Sequence, residues 1–188
     1  MPRRYGRRYR ECAKLANGST VWFRLLRRQD SSLLEQIFEK LSPEARFQRF
    51  FAHKKELSPA DLSTLTDCDG ENQFAIAALT RTGNVEEGVG VARFVRLREE
   101  PRNAEIALAV IDAHQRNGIG RLLLRRLIEA ATERGIRQLR GYILADNLPM
   151  TALARQFAAE TQQASSRLPG ATLSTVAITL RLVGPASA

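Results

Sequence analysis

The chain has 188 residues, of which 44% are apolar, and a formal net charge of +9. These values suit one compact domain with a real core and argue against global disorder. No apolar stretch reaches the length of a membrane span, and no apolar stretch follows the N-terminal arginines as it would in a secretory signal. Cys12 and Cys68 are far apart and outside any CxxC pattern, so neither a disulfide framework nor a metal site is expected. A reduced, cytoplasmic protein without a membrane association is the plain prediction.

The first segment of the chain carries much of the charge. Five arginines fall within the first ten residues, at positions 3, 4, 7, 8 and 10, and Asn17-Gly18 supplies a turn signal. We therefore expect residues 1–18 to be a flexible basic arm and residues 19–188 to form the domain. Binding of nucleic acid by the arginines together with Tyr5 and Tyr9 is an alternative, and a solvated tail is the simpler interpretation.

The remaining chain reads as helices followed by strands and then alternating elements. Hydrophobic spacing and helix-start residues predict helices from Ser31, from Ser42-Pro43 and from Ser58-Pro59, and later over 118–134 and 149–159. Short apolar runs predict strands over 21–26, 74–79, 89–97, 104–112, 138–144 and 171–182. This order predicts an α/β (α+β) domain with several adjacent strands in one sheet.

A glycine-containing loop lies between the predicted strand 104–112 and the amphipathic helix that follows. Its sequence is Gln115-Arg116-Asn117-Gly118-Ile119-Gly120, with Arg121 next. Unpaired amides at a helix start carry partial positive charge, and glycines let the backbone approach an anion closely. The loop is therefore predicted to bind a pyrophosphate. A dinucleotide fold would need GxGxxG, and an NTP-binding loop would need lysine followed by serine or threonine, so both rivals are weak.

This loop resembles motif A of the GNAT superfamily of acetyltransferases, Q/R-x-x-G-x-G/A, at every position. The resemblance covers roughly residues 20–182 and implies the GNAT fold, a mixed and mostly antiparallel central sheet with splayed strands, flanked by helices. It also implies acetyl-CoA as co-substrate and no metal. Ala109, Val110 and Ile111 would line the pantetheine arm, and the Val110 amide would donate to the thioester oxygen.

A narrower resemblance is to bacterial protein lysine acetyltransferases. Residues 41–51, LSPEARFQRFF, resemble that group's L-S-x-E-S-R-Y-x-R-F-F, and Glu105 lies in an A-E-x-A match. Asn147 and Met150 form an N-x-x-M match. The likeness implies a protein lysine as acceptor, with an AMP-forming acyl-CoA synthetase as a partner.

Glu105 is the candidate catalytic residue because it interrupts an apolar strand. By alternation it shares a face with Ala107, Ala109 and Ile111. A lysine ammonium must lose a proton before it attacks a thioester, and a partly buried carboxylate could accept that proton. The alternative is that Glu105 forms an ion pair with an arginine such as Arg93 across the sheet.

Two further positions remain open at this stage. The Asn147 amide either bonds the pantetheine arm, as the resemblance implies, or caps a helix, and Met150 packs either near the arm or in the core. Many GNAT enzymes place a tyrosine seven residues after the asparagine, where this chain has Ala154. Tyr142, like Tyr5 and Tyr9, offers no well-placed substitute in the sequence.

Three classes of function follow from these features. The first is an acetyl-CoA-dependent N-acetyltransferase in which a protein lysine attacks the thioester directly. A small-amine acetyltransferase is the alternative within the same class. A CoA-binding regulatory module without turnover is the second class, and nucleic-acid binding through the arm is the third.

Overall fold

The computed structural model describes residues 3–83, 85–168 and 171–182. The strands are β1 Arg10–Lys14, β2 Thr20–Leu25, β3 Gln73–Thr82, β4 Val85–Arg96, β5 Asn103–Val110, β6 Gln138–Leu144, β7 Glu160–Leu168 and β8 Ala171–Arg181. The helices are α1 Ser31–Glu39, α2 Pro43–Phe50, α3 Pro59–Thr66, α4 Ile119–Glu133 and α5 Leu148–Arg155. None of these helices is long and apolar enough to cross a membrane. The predicted end of the domain at residue 188 lies outside the described residues.

The described strands form one sheet in the order β1-β2-β3-β4-β5-β6-β8-β7. Every neighbouring pair is antiparallel except β5 and β6, which are parallel. The predicted mixed, mostly antiparallel sheet flanked by helices is therefore confirmed. Two strands, β1 and β7, are additional to those predicted, and the strand predicted over 104–112 ends at Val110, where a short 3₁₀ turn follows.

Helices cover both faces of the sheet. Three leucines of α4, Leu123, Leu124 and Leu127, are fully buried, as the predicted amphipathic pattern requires. Phe74 and Phe94 stack beneath this helix with their ring centroids 5.3 Å apart. On the other face, α1 buries its apolar side against β4, and α2 and α3 lie beside it.

The start of α3 is fixed by a reciprocal capping arrangement, as Ser58-Pro59 predicts. The Asp61 amide donates to Ser58 Oγ at 3.1 Å, and the Ser58 amide donates to Asp61 Oδ2 at 3.0 Å. The Lys54 ammonium donates to the same carboxylate at 2.7 Å. Lys54 and Ser58 together lower the pKa of Asp61 to about 2.

The Asp61→Asn variant should lose about 1 kcal/mol of unfolding free energy at pH 7, since Asp61 completes the capping box of α3 and is only partly buried. Because the folded pKa is depressed, this stabilisation is present above the unfolded value of about 3.9 and disappears as pH falls toward about 2. Urea denaturation at pH 7, 4 and 2 measures this, with Glu56→Gln as an exposed control. A variant as stable as the wild type at pH 7 would contradict the capping role.

The N-terminal segment differs from the predicted flexible arm. β1 pairs with β2 from Arg10↔Arg24 to Lys14↔Thr20, and the Tyr5 side chain has 0% exposure. The polar face of α4 supplies partners for this segment. Tyr5 donates to Glu129, and Arg134 Nη2 donates to the Tyr5 carbonyl at 2.8 Å.

Tyr9 is held in the same way. Its hydroxyl donates to Glu11 Oε2 at 2.7 Å and accepts from Arg126 Nε at 3.0 Å. Because Tyr5 and Tyr9 are both buried, their rings are not exposed for stacking on bases. Stacking of nucleic-acid bases on these two tyrosines, which the nucleic-acid alternative included, is therefore excluded.

Candidate active site

A cleft opens where two neighbouring strands separate. β5 and β6 pair only from Asn103↔Gln138 to Glu105↔Arg140, although both strands continue beyond that point. The predicted splay of the central sheet is therefore present. The resulting space has a volume of about 710 Å³, within the usual range of roughly 300–1,000 Å³ for ligand pockets.

The backbone of β5 presents free hydrogen-bonding groups to this gap. The Ile111 amide donates to the Val89 carbonyl of β4 at 3.0 Å. Amides alternate in direction along a strand, so the Val110 amide is directed away from β4 and toward the gap. The Val110 carbonyl accepts from Gln115 Nε2 at 3.0 Å, which ties the end of β5 to the following loop.

The predicted phosphate loop lies at one end of the cleft, at the start of α4. Gly118 is the residue before the helix and has φ +86°, a left-handed conformation that glycine adopts without steric cost. No side chain among the described residues caps this helix start, so its first amides remain available to an anion. Arg116 and Arg121 line the cleft at the same end.

The 3₁₀ turn that leads into this loop is anchored to α2. Asp112 accepts two hydrogen bonds from Ser42, one from its amide and one from its hydroxyl, each 2.9 Å long. Ser42 also caps α2 by accepting from the Ala45 amide at 3.2 Å. The phosphate loop and the helix that borders the cleft are thereby held in one arrangement.

Asn147 fulfils one of its two predicted roles and leaves room for the other. Its Oδ1 accepts from the Met150 amide at 3.1 Å and caps α5. Asn147 also lines the cleft, and its side-chain NH₂ remains available as a donor. Met150 is half-buried, packs against the core and lines the cleft as well.

Glu105 lines the cleft, but its environment differs from the prediction in two respects. Its side chain is exposed, so the expected partial burial is wrong. The alternative ion pair with Arg93 is also absent, since Arg93 donates instead to the Thr64 carbonyl and to Gln73 Oε1. Within the described residues no cation lies within 4.0 Å of the Glu105 carboxylate, so both of its oxygens can receive a proton or a water.

Most of the predicted binding residues border the cleft. Those that do so are Glu105, Ala109, Val110, Gln115, Arg116, Gly118, Gly120, Arg121, Asn147 and Met150. Ile111 and Ile119 have side chains buried in the core and do not border it, and Asn117 does not border it either. Because their side chains are buried, Ile111 and Ile119 can contribute only through the backbone.

The cleft also includes residues that sequence reasoning missed. Arg49 and Phe50 of α2 border it from one side, and Tyr142 borders it from β6. Tyr142 lies on the face of Glu105, because Glu105 pairs with Arg140, two residues earlier. The resemblance of residues 41–51 to one acetyltransferase group was a signal for the first two. No sequence signal placed Tyr142 in the cleft.

The chain matches the model of the acetyltransferase (GNAT) family over residues 34–158. It belongs to the GNAT family. It is 34% identical over 139 residues to acetyltransferase PA5475 of Pseudomonas aeruginosa, covering 74% of each protein.

Among solved structures, the GNAT domain of S. lividans PAT superposes with a TM-score of 0.83 at 25% identity, covering 95% of this chain and 99% of that domain. The acetyltransferase yncA of Salmonella typhimurium, solved with acetyl-CoA, has a TM-score of 0.70 at 19% identity and covers 89% and 96%. By its family, this protein is an acetyltransferase that uses acetyl-CoA. The described residues contain no group of histidine, cysteine and acidic side chains that could hold a metal ion.

Proposed function

We propose that this GNAT acetyltransferase transfers the acetyl group to a protein lysine side chain by direct attack on the thioester. The observation that carries the proposal is the position of Glu105 in the same cleft as the phosphate loop, at the point where β5 leaves β6. The likeness of residues 41–51 to bacterial protein lysine acetyltransferases supports the choice of acceptor. An AMP-forming acyl-CoA synthetase is the proposed protein partner, and the cytoplasm the proposed location.

The predicted site residues of the cleft have separate parts in this reaction. The loop amides from Gln115 to Gly120, with Arg116 and Arg121, bind the pyrophosphate. The Asn147 amide and Met150 hold the pantetheine arm against the exposed edge of β5.

The chemical step then needs one base and one oxyanion donor. Glu105 takes a proton from the lysine ammonium, directly or through a water, and the freed amine attacks the thioester carbon. The Val110 amide donates to the carbonyl oxygen as it gains negative charge. The carbon–sulfur bond breaks and CoA leaves as a thiolate. The attacking nitrogen gives up its second proton as the amide forms, and through water this proton neutralises the thiolate.

Release of free thiol from acetyl-CoA tests the proposal. The assay compares an acyl-CoA synthetase with a panel of small amines as acceptors, and acetylation of a synthetase lysine is confirmed by mass spectrometry. Turnover only with small amines would replace the protein acceptor by a small one. Binding of CoA without turnover of any acceptor would favour a regulatory module.

The Arg121→Gln variant should bind CoA about 10-fold more weakly, because one charge-assisted contact to a phosphate is lost. Isothermal titration calorimetry measures the dissociation constant. Arg125→Gln is the matched control, since Arg125 is an exposed arginine of the same helix that does not border the cleft. Equal weakening by both variants would indicate a general effect of charge instead of a contact.

A further inference from the structure

Two arginines lie together on the α2 side of the cleft. Arg49 of α2 borders the cleft and also a second, smaller cavity of about 30 Å³, and Arg93 of β4 borders the smaller cavity. The two spaces are neighbours, because Leu41, Phe50 and Ala109 line both of them. Nearly all other residues around the smaller cavity are apolar.

The guanidinium of Arg93 is poorly satisfied for a buried cation. The residue is only 8% exposed, and its contacts to the Thr64 carbonyl and to Gln73 Oε1 are long, at 3.4 and 3.2 Å. Its Nε is buried without a hydrogen-bond partner among the described residues. Buried polar groups are almost always paired, so this orphaned donor needs an explanation.

Arg49 is half-buried and also lacks an ionic partner within the described residues. Its guanidinium lies 4.8 Å from the centre of the Phe50 ring. Burial, with a contribution from the nearby Arg93, lowers the pKa of Arg49 to about 10, so the group still carries its charge at neutral pH.

The other buried arginines of the described chain are well satisfied. Arg24 holds Asp30 through two bonds of 2.7 and 3.0 Å, and Arg126 holds Glu11 at 2.7 Å. Arg134 donates to three backbone carbonyls at 2.6–2.8 Å. The fold therefore satisfies its buried arginines elsewhere, and the exception lies at the cleft.

Glu105 is the acidic group that faces this pair. It attracts both arginines electrostatically but forms no ion pair with either one. Two cations and one anion leave a net positive charge in a largely apolar part of the cleft. A planar guanidinium with free donors is suited to a carboxylate, which it can bind through two parallel hydrogen bonds.

We propose that Arg49, supported by Arg93, binds a carboxylate of the substrate beside Glu105. The inference rests on the proposed function and narrows its specificity. The carboxylate is carried either by the acceptor or by the acyl group, and the chemistry of recognition is the same. Arg49 contacts it directly from the cleft. The smaller cavity has the volume of about one water, so Arg93 reaches the carboxylate through one oxygen or one bridging water.

Calorimetry with two pairs of matched ligands tests the subsite. The acyl pair is succinyl-CoA and butyryl-CoA, which have equal chain length and differ in the terminal carboxylate. The acceptor pair is the C-terminally amidated dipeptides Lys-Glu-NH₂ and Lys-Gln-NH₂, which differ only in the side-chain carboxylate and are titrated into the protein saturated with CoA. In one of the two pairs, the ligand with the extra carboxylate should bind at least about 10-fold more tightly than its partner. The pair that shows this difference identifies whether the acyl group or the acceptor carries the carboxylate.

Variants of the two arginines then locate the effect. Arg49→Gln should reduce the preference for the carboxylate ligand to less than about 3-fold. Arg49→Lys should retain part of this preference, because lysine keeps the positive charge but lacks the planar pair of guanidinium donors. Arg93→Met should reduce the preference in part, provided that its circular dichroism shows a folded protein. Arg181→Gln removes an equal charge from an exposed site paired with Glu160 and should change nothing.

The outcomes separate the two proposals. Binding of CoA without a preference in either pair, or a preference that survives Arg49→Gln, would overturn the subsite alone. No heat with CoA itself, from a protein shown to be folded, would reject the proposed function and the subsite with it.

Discussion

Replacement of Glu105 by glutamine is expected to lower kcat by about 10²- to 10⁴-fold, the usual contribution of a positioned general base. The change removes the proton acceptor but keeps the size of the side chain. Glu105 is exposed in the cleft and forms no ion pair within the described residues, so the fold should not depend on its charge. Thiol release under saturating acetyl-CoA measures kcat, and calorimetry measures CoA binding.

A loss of rate with an unchanged dissociation constant for CoA would assign Glu105 to the chemical step. Glu99→Gln is the control, because Glu99 is exposed just before β5 and lies outside the cleft. If Glu105→Gln keeps the wild-type rate, Glu105 is not the base. If CoA binding and thermal stability fall together with kcat, its role is structural.

The structure changes the reason for which Glu105 is a candidate. The sequence suggested a buried carboxylate, since Glu105 interrupts an apolar strand. The strand does bury its other face, with Ala104 and Ile106 in the core. Glu105 faces the opening instead, because the strand loses its partner β6 at this residue. Strand alternation predicts the face of the sheet on which a side chain lies. The residue at which two paired strands separate depends on tertiary structure and cannot be predicted from alternation.

Local signals predicted several helix starts correctly. The serine–proline starts of α2 and α3 and the glycine loop before α4 depend on neighbouring residues alone. Asn147 shows the limit of such signals. Helix capping and cleft lining were alternatives in the sequence, and the structure combines them, because the oxygen and the nitrogen of one amide serve different partners.

Contacts between elements that are distant in the chain could not be predicted from the sequence. Arg49 and Arg93 lie on different elements, 44 positions apart in the printed numbering, and only the packing of α2 on the sheet brings them together. β7 was missed because its sequence, ETQQASSRL, lacks alternating apolar residues. β7 forms a strand because it pairs with β8, a contact that its own sequence pattern does not indicate.

The N-terminal segment is the clearest case of such a contact. A run of arginines with two tyrosines is typical of a solvated arm, and nothing local indicates burial. The partners of Tyr5 are on α4, at Glu129 and Glu133, more than 120 residues away. Burial, together with the hydrogen bond to Glu129, raises the pKa of Tyr5 far above its usual value, so the hydroxyl stays protonated as a donor.

The Tyr5→Ala variant should therefore lose about 3–5 kcal/mol of unfolding free energy, as for other fully buried aromatic side chains cut to alanine. This is a large part of the stability of an ordinary domain, about 5–15 kcal/mol. The ring packs edge-on against Phe74 at 6.5 Å and lies 4.6 Å from the ring of Tyr9. Urea denaturation measures the loss, which a free arm would not show.

Two companion variants divide that loss between its causes. Tyr5→Phe keeps the ring and removes the hydroxyl, and should cost about 1–3 kcal/mol because the Glu129 carboxylate loses one of its two donors among the described residues, Arg4 being the other. Arg8→Ala changes an exposed residue of the same segment and should leave stability within about 0.5 kcal/mol of the wild type. If Tyr5→Ala costs no more than Arg8→Ala, the segment is a free arm in solution. If it loses the 3–5 kcal/mol expected of a buried aromatic side chain, residues 3–14 belong to the domain. They then add β1 to the edge of the sheet and hold α4 through the bonds to Glu129 and Glu133.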